Sequence, residues 1–258
     1  MIAKVARFRP DIAVVDLEDA VPPNEKYRAR DLAIDGIERL AAERPRQRVY
    51  LRVNDRRTPW FAADVTAAVR SNCAGVVLPK VEGPADLDEL GSMLAASGKP
   101  GLPVIAGLET VTGVMCAEDL CLYPNAVYFG AEDFVTDLGG VRTSAGMEVL
   151  YARSKVSLAA RHAGIPAIDH ATLDLTSADA CASDARQGKA LGYRGKLCIH
   201  PSQVAVANRV FTPTDAEISS ARRVLAAVDQ GVALLDGQMV DEVHARRARS
   251  VLDLGADG

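Results

Sequence analysis

The feature that most constrains the fold is a repeated alternation between short apolar runs and longer segments with helical spacing. Each run is rich in Val, Ile and Leu and has the length of a buried parallel strand. In the intervening segments, apolar residues recur three or four positions apart, which is typical of amphipathic helices. The alternation predicts β-α units in which helices cover parallel strands.

Seven strands and seven helices follow from this pattern. The strands are predicted over 11–19, 48–55, 75–82, 103–109, 126–133, 166–174 and 195–201. Helices are predicted between the strands and after the last one, over 24–43, 60–71, 85–96, 144–163, 179–191, 203–210 and 214–231. A polar segment, 234–258, follows and is predicted to be a helical lid extension or oligomerisation arm.

Two architectures bury parallel strands on both faces, a closed barrel and an open doubly wound sheet. An open nucleotide-binding sheet needs a glycine-rich turn after its first strand, whereas this chain has Asp-Leu-Glu-Asp-Ala at 16–20. The sequence therefore favours a TIM-type (β/α)8 barrel in one catalytic domain, 1–233. Residues 2–9 look like the helix that follows a first strand, so we expect that strand to be lacking or truncated.

Composition excludes several classes of partner. The net charge of -4 argues against a nucleic-acid partner, because phosphate neutralisation needs a basic face. The sequence contains no apolar stretch of membrane-spanning length and no apolar core of a signal peptide near its start. The five cysteines form no C-x-x-C pair, which favours reduced thiols. We expect a cytoplasmic protein without a membrane partner.

Barrel enzymes place their active sites at the carboxyl ends of the strands, and nearly every predicted strand ends in charge. Exposed strand ends are often polar, which accounts for part of this pattern. It does not explain why apolar runs repeatedly admit ionic groups, so we predict a ring of charged and polar side chains around a site. Its members are Glu18, Asp19, Arg52, Asn54, Lys80, Glu82, Glu109, Glu132, Asp133, Asp169 and His200.

Glu109 and Asp133 end consecutive predicted strands, which would bring two carboxylates to one side of the barrel mouth. Carboxylate oxygens are hard ligands that suit Mg²⁺, and this ion often takes one or two of them from a protein. The alternative is a pair of strand-end carboxylates that accept hydrogen bonds from neighbouring loops. The spacing alone leaves both interpretations open.

Arg52 lies inside an apolar strand, where an unpaired guanidinium would be costly, and therefore needs an anion. A substrate carboxylate or a developing enolate oxygen is one candidate, and a buried pair with Glu18 or Asp19 is another. The sequence has no histidine before His162, so a carboxylate or a metal-bound water must act as base in the first five strands. For His200, structural and catalytic roles both stay open.

Five motifs together resemble the citrate lyase β-subunit-like family, the CoA-ester branch of the HpcH/HpaI aldolase superfamily, which includes malyl-CoA and citramalyl-CoA lyases. The resemblance covers nearly the whole chain in order. The motifs are Val-Val-Asp-Leu-Glu-Asp-Ala-Val at 14–21, Leu-Arg-Val-Asn at 51–54, Val-Leu-Pro-Lys-Val-Glu at 77–82, Gly-Ala-Glu-Asp-Phe at 130–134 and Ile-His-Pro-Ser-Gln at 199–203.

The resemblance implies a Mg²⁺-dependent carbon-carbon lyase that acts on a 3-hydroxyacyl-CoA thioester and yields an acyl-CoA and a 2-oxo acid. It implies that Glu109 and Asp133 hold the metal and bind the 2-oxo acid half through it. Arg52 would bind the substrate and stabilise the thioester enolate. Glu18, Asp19 and Lys80 would lie around the substrate and CoA entrance.

The segment Gly-Gln-Met-Val-Asp at 237–241 resembles the family's lid motif. The resemblance implies that Asp241 reaches the active site of a neighbouring subunit and transfers a proton at the acetyl carbon. It also implies a homo-oligomer, a trimer or hexamer. The alternative for Asp241 is a solvated carboxylate on a tail, and the family's usual proline shortly after this aspartate is absent from Asp-Glu-Val at 241–243.

Other activities stay open at the level of sequence. They are a malyl-CoA thioesterase, the β-subunit of a citrate lyase that uses an acyl-carrier-protein thioester, and a catalytically weak CoA- or metabolite-binding protein. A CoA-independent aldolase of the same superfamily is disfavoured, since it is expected to use an early histidine.

Overall fold

The computed structural model, which describes residues 6–228 and 231–256, contains a sheet of seven parallel strands in sequential order. All seven predicted strands are present, and each begins within one residue of its predicted start. Their ends come earlier than predicted because the chain turns before the polar residues that follow each run. The strands are β1 (Ile12–Asp16), β2 (Arg48–Arg52), β3 (Gly75–Leu78), β4 (Val104–Leu108), β5 (Ala126–Phe129), β6 (Ala167–Asp169) and β7 (Gly195–Lys196).

Helices follow every strand of this sheet. Three short helices after β4 and β5 were not predicted, because each is too brief to show a clear apolar period. The helices are α1 (Lys26–Glu43), α2 (Phe61–Arg70), α3 (Pro84–Ala96), α4 (Val111–Met115), α5 (Ala117–Leu120), α6 (Ala131–Leu138), α7 (Met147–Ala163), α8 (Ala178–Ala190), α9 (Pro201–Phe211), α10 (Asp215–Val228) and α11 (Glu242–Ala256).

The sheet is a curled half-barrel of seven strands, consistent with the TIM-type fold and with the expectation that a first strand is lacking or truncated. Strand order runs from β1 to β7, and no pairing joins these two edges within residues 6–228 and 231–256. No eighth strand enters the sheet in those ranges. Of the helix predicted over 2–9, residues 2–5 lie outside the described residues and Ala6–Phe8 form a 3-10 turn. Beside that turn, Asn208 on α9 donates to the Arg9 carbonyl at 3.2 Å.

The two faces of the sheet have different packing. Alternate side chains of a strand point to opposite faces. Those on the convex face join a large apolar core with the helices, whereas the concave face holds a smaller cluster. The buried members of the concave cluster are Tyr50, Val77, Ile105, Ala126 and Tyr128. This alternation decides which charged residues reach the concave side.

Local signals set the helix ends. α7 ends at Gly164, whose φ of 77° is the left-handed conformation that glycine adopts without strain. α3 begins at a proline, and its Asp86 accepts the backbone N–H groups of Glu82 and Gly83 at 2.8 and 3.3 Å. Such caps satisfy donors that a helix start leaves unpaired.

The predicted polar extension, 234–258, contains a β-hairpin and a helix. β8 (Ala233–Leu235) pairs antiparallel with β9 (Gln238–Val240), and α11 follows and packs against α10. Residues 257–258 lie outside the described residues. Among the helices that are described, none combines the length and the apolar character needed to cross a membrane.

Candidate active site

Arg52 lies at the end of β2 beside Asp16, its register partner at the end of β1. Nε and Nη2 of Arg52 donate to the two carboxylate oxygens of Asp16 at 2.7 and 2.6 Å. Nη1 lies 3.1 Å from Glu18, and Nη2 lies 3.9 Å from Asp19. Burial lowers the pKa of Arg52, but the hydrogen bond with Asp16 opposes this effect and the pKa stays above its ordinary value. Arg52 is thus a fixed cation on the concave face.

Lys80 follows β3 and connects several carboxylates. Its Nζ lies 2.5 Å from Glu18, 3.5 Å from Asp19 and 3.4 Å from Asp133. Lys80 has a φ of 51°, the left-handed region that a residue with a side chain rarely adopts. Such strain commonly occurs at functional sites.

Glu18 is buried in the loop after β1 and is only 5% exposed. Burial raises the pKa of Glu18 to about 7, although Arg52 and Lys80 both act to lower it. Its Oε2 is buried and accepts no hydrogen bond from the residues that the structure describes. Its nearest charged partner is Nη1 of Arg52, at 3.1 Å.

Glu109 directly follows β4 and is 2% exposed. Its Oε1 accepts a hydrogen bond from the Lys80 backbone N–H at 3.0 Å and another from the Tyr128 hydroxyl at 2.5 Å. Burial raises the pKa of Glu109, the Tyr128 hydrogen bond lowers it, and the nearby Asp133 carboxylate raises it further. The two predicted ligands therefore interact with each other and contact the same lysine.

The sequence analysis predicted that Asp133 ends a strand, and this prediction is wrong. β5 ends at Phe129, and Asp133 lies in the first turn of α6. The helix still begins at the carboxyl edge of the sheet, so the side chain reaches the same group of charges. Its Oδ1 contacts Lys80, and no hydrogen bond to it forms within the described ranges.

The site contains more carboxyl groups than cations. Five carboxyl groups surround two cations, Arg52 and Lys80; they belong to Asp16, Glu18, Asp19, Glu109 and Asp133. Like charges at this spacing repel, so a divalent cation would stabilise the ionised carboxylates. The oxygen-only donor set matches what Mg²⁺ prefers. The residues therefore fit this metal.

Asp169 belongs to a different cluster, behind the sheet. It is fully buried and binds Arg153 on α7 through two hydrogen bonds of 2.9 and 2.5 Å. Lys196 lies 2.7 Å from Asp184 on α8 and 3.7 Å from Asp169. Asp169, His170 and Asp184 have ligand atoms within 4.8 Å of one another. Because Arg153 and Lys196 already neutralise the two carboxylates, this cluster fits a structural role better than a metal site.

Several other members of the predicted ring face elsewhere. Asn54 is buried between the sheet and the helices, where it bonds Lys26 and Asp64. Glu82 pairs with Arg57, and Glu132 pairs with Arg142. His200 caps α9, since its Nδ1 accepts the Ser202 N–H at 3.2 Å. The structure favours the structural alternative for His200.

Asp241 precedes α11 and caps it. Its Oδ1 accepts the N–H groups of Val243 and His244 at 3.0 and 3.3 Å and lies 2.7 Å from His244 Nδ1. These bonds lower the pKa of Asp241, with the His244 side chain as the largest cause. No hydrogen bond or ion pair joins Asp241 to the acidic site within the described part of this single chain.

The sequence analysis did not identify three residues that form or support the site. Asp16 is the last residue of the apolar run Ile-Ala-Val-Val-Asp at 12–16, and its pairing with Arg52 depends on strand register. Tyr128 looks like a core aromatic in Ala-Val-Tyr-Phe at 126–129. Lys26, in the first turn of α1, donates to the carbonyls of Leu17 and Glu18 at 2.7 and 2.8 Å and so supports the loop after β1.

An acidic site at the carboxyl edge of a curled parallel sheet is the arrangement of β/α-barrel enzymes. Comparisons with known proteins agree. Residues 1–201 match the model of the family described as HpcH/HpaI aldolase/citrate lyase. The chain belongs to this family.

Relatives cover nearly all of the chain. A citrate lyase subunit beta-like protein of Deinococcus radiodurans is 45% identical over 98% of this chain and 92% of its own length. A (3S)-malyl-CoA thioesterase of Cereibacter sphaeroides is 31% identical over 97% of this chain and 88% of its own. The crystal structure of CitE from Mycobacterium tuberculosis with magnesium, acetoacetate and coenzyme A has a TM-score of 0.83 and 32% identity; the match covers 98% of this chain and 92% of CitE.

Proposed function

We propose that the protein is a Mg²⁺-dependent carbon-carbon lyase that cleaves or forms a 3-hydroxyacyl-CoA, such as malyl-CoA or citramalyl-CoA. The observation that carries the proposal is the excess of carboxyl groups over cations on the concave face. An anionic thioester would be repelled by such a site unless a metal ion joined it. The CitE structure, which holds magnesium, acetoacetate and coenzyme A, supports a site that takes a metal ion together with CoA.

Glu109 and Asp133 are the residues that would hold the metal. Glu109 is buried and oriented by two hydrogen bonds to one oxygen, and Asp133 is half-buried at the start of α6. When bound, Mg²⁺ supplies a Lewis acid that stabilises oxygen charge on the 2-oxo acid half.

Arg52 would serve the thioester half. Cleavage breaks the bond between the hydroxyl-bearing carbon and the carbon next to the thioester carbonyl, while the hydroxyl gives its proton to a carboxylate of the site and becomes the oxo group. The bond's electron pair passes to the thioester, which becomes an enolate. Arg52 is already held by Asp16, and its five N–H donors exceed the needs of that pair, so it can donate to the enolate oxygen without reorganisation.

Glu18, Asp19 and Lys80 are proposed to line the substrate and CoA entrance. Lys80 is the second fixed cation and contacts all three acidic groups around it. Glu18 is buried between the two fixed cations, since it contacts Arg52 through Oε2 and Lys80 through Oε1, which supports a role in orienting them.

Asp241 is proposed to be the acid/base that protonates or deprotonates the acetyl carbon, from a neighbouring subunit of a homotrimer or homohexamer. We propose 1–233 as the catalytic domain and 234–258 as the lid that subunits exchange. Two observations support the exchange. Within residues 6–228 and 231–256, no hydrogen bond or ion pair joins Asp241 to the acidic site, and Leu234 and Met239 of the hairpin are 76% and 62% exposed. All five cysteines are free, which supports a cytoplasmic location.

A thioesterase is the second candidate, because the relative from Cereibacter sphaeroides has that activity in its name. Release of CoA with malate and no 2-oxo acid would favour it. Turnover only of an acyl-carrier-protein thioester would favour a citrate lyase β-subunit. Tight binding of a thioester without turnover of any kind would favour a binding protein.

Calorimetric titration with Mg²⁺ tests the metal assignment. Glu109→Gln and Asp133→Asn should each weaken Mg²⁺ binding by more than about tenfold, since each removes one anionic ligand. Glu132→Gln is the matched control, because Glu132 is adjacent in sequence and pairs with Arg142. Unchanged Mg²⁺ affinity in both ligand variants would reject the metal site.

A further inference from the structure

Two glycines, one in β4 and one directly after β5, make room for two large side chains in a reciprocal arrangement. Gly107 on β4 is the register partner of Tyr128 on β5, and Glu109 and Gly130 directly follow the ends of these two strands. A Cβ atom at Gly107 would collide with the Tyr128 hydroxyl, and one at Gly130 would collide with Oε2 of Glu109. Each large side chain therefore leans across a glycine of the neighbouring strand.

This arrangement fixes the carboxylate of Glu109 from both sides of β4. The Lys80 N–H comes from the β3 side, and the Tyr128 hydroxyl comes from β5. Both donors bind Oε1, and Oε2 accepts no hydrogen bond within residues 6–228 and 231–256. Two donors on one oxygen hold the plane of the carboxylate and leave the other oxygen for a ligand.

Tyr128 is itself held firmly. It is 3% exposed and packs in the concave cluster with Tyr50, Val77, Ile105 and Ala126. A tyrosine in this position has few alternative rotamers, because the surrounding side chains fill the space. Its hydroxyl is therefore a donor of fixed direction.

We propose that Tyr128 is a positioning residue for the metal site, which holds Glu109 Oε1 by its hydroxyl so that Oε2 is presented to the divalent cation. The inference rests on the proposed function, since it takes Glu109 as a metal ligand. Partners that orient a ligand commonly change metal affinity by about 10- to 100-fold when they are removed.

Tyr128→Phe removes the hydroxyl and keeps the ring, and Tyr50→Phe is the matched control. Tyr50 is 6% exposed in the same cluster and makes no side-chain hydrogen bond in the described part of the chain. Gly107→Ala is a second variant, which keeps the tyrosine but disturbs its contact with Glu109, because the added methyl group would crowd both the Tyr128 hydroxyl and Oε1 of Glu109. Glu109→Gln completes the set and tests the ligand itself.

The measurement is Mg²⁺ affinity by isothermal titration calorimetry, with the thermal midpoint of each variant recorded alongside. Tyr128→Phe should weaken Mg²⁺ binding about tenfold or more, Gly107→Ala should also weaken it, and Tyr50→Phe should leave it unchanged. If Tyr128→Phe does not fold, Gly107→Ala and Tyr50→Phe test the inference: Mg²⁺ binding should be weaker in Gly107→Ala and unchanged in Tyr50→Phe.

Two results overturn the inference, and one separates it from the proposed function. Wild-type affinity in Tyr128→Phe, with weakened binding in Glu109→Gln, overturns the role of Tyr128 alone. Equal losses of affinity in Tyr128→Phe and Tyr50→Phe also overturn it, because the effect is then general to the cluster. Unchanged Mg²⁺ binding in Glu109→Gln rejects Glu109 as a metal ligand. It also rejects the inference, which takes Glu109 as a ligand.

Discussion

The guanidinium of Arg52 and the carboxylate of Asp16 form a two-point ion pair between neighbouring strands, at 2.7 and 2.6 Å. Strand register places them side by side, and both are about one-fifth exposed on the concave face. The pair fixes the orientation of a cation before any substrate arrives. Preorganised cations of this kind stabilise charge that develops during a reaction.

Arg52→Lys is expected to lower kcat about 100-fold, because an ammonium cannot bind Asp16 at two points and donate in a fixed plane as well. Steady-state kinetics with malyl-CoA or citramalyl-CoA measures the effect. Arg48→Lys, at the exposed start of the same strand, is the control and should keep wild-type kinetics. Equal kcat values for wild type and Arg52→Lys would contradict the proposed role of the guanidinium.

Asp241→Asn is expected to reduce turnover about 100-fold or more while Mg²⁺ affinity and the thermal midpoint stay unchanged. Asparagine caps helices about as well as aspartate, so α11 should persist while proton transfer is lost. Asp236→Asn, in the turn of the same hairpin, is the control. Full activity of Asp241→Asn would leave this residue with its capping role alone.

Glu18 should make stability depend on pH. Its pKa is about 7 in the folded protein and has an ordinary value of 4.5, so the folded state binds the proton more tightly. This contribution to the free energy of unfolding is fully present below about pH 4.5 and is lost as pH rises through 7. Its size is up to about 3 kcal/mol.

Urea unfolding of wild type and Glu18→Gln at several pH values measures this dependence. Wild type should lose stability relative to Glu18→Gln as pH rises from 5 to 8, because glutamine does not ionise. Glu118→Gln, at a side chain that is 70% exposed, serves as the control. A constant difference between wild type and Glu18→Gln across this range would show that Glu18 does not titrate there.

Lys26→Met is expected to lower the free energy of unfolding by about 3 kcal/mol. The substitution removes three buried hydrogen bonds from the Lys26 ammonium, to Leu17 O, Glu18 O and Asn54 Oδ1. Leu17 O and Glu18 O keep other donors, whereas Asn54 Oδ1 loses its donor. Lys189→Met, at a side chain that is 36% exposed, is the control for the loss of a lysine. Chemical denaturation of both variants gives the comparison, and equal stabilities would contradict a supporting role for Lys26.

The strand starts were predictable because apolar runs begin where the backbone enters the sheet. Their ends were not, since the polar residues after each run belong to loops or, for Asp133, to the first turn of a helix. Glu109, Lys80 and Arg52 were found because ionic groups next to apolar runs are costly and stand out. Tyr128 could not be found in this way, because an aromatic residue in a strand looks like core until its hydroxyl is seen to bond Glu109.

Register explains the remaining differences. Asp169 is the last residue of β6 and Glu109 directly follows β4, but the Asp169 side chain points to the opposite face and binds Arg153 behind the sheet. One residue of register separates these outcomes, because side chains alternate along a strand. The open edges of the sheet likewise depend on which segments pair, which periodicity alone does not give.

The most direct measurement is the rate of 2-oxo acid release from malyl-CoA and citramalyl-CoA by the purified protein, with Mg²⁺ and with EDTA. The account predicts that glyoxylate or pyruvate appears together with an acyl-CoA when Mg²⁺ is present, and that EDTA abolishes the release. Release of 2-oxo acid at the same rate in EDTA, or of free CoA alone, would contradict a metal-dependent carbon-carbon lyase.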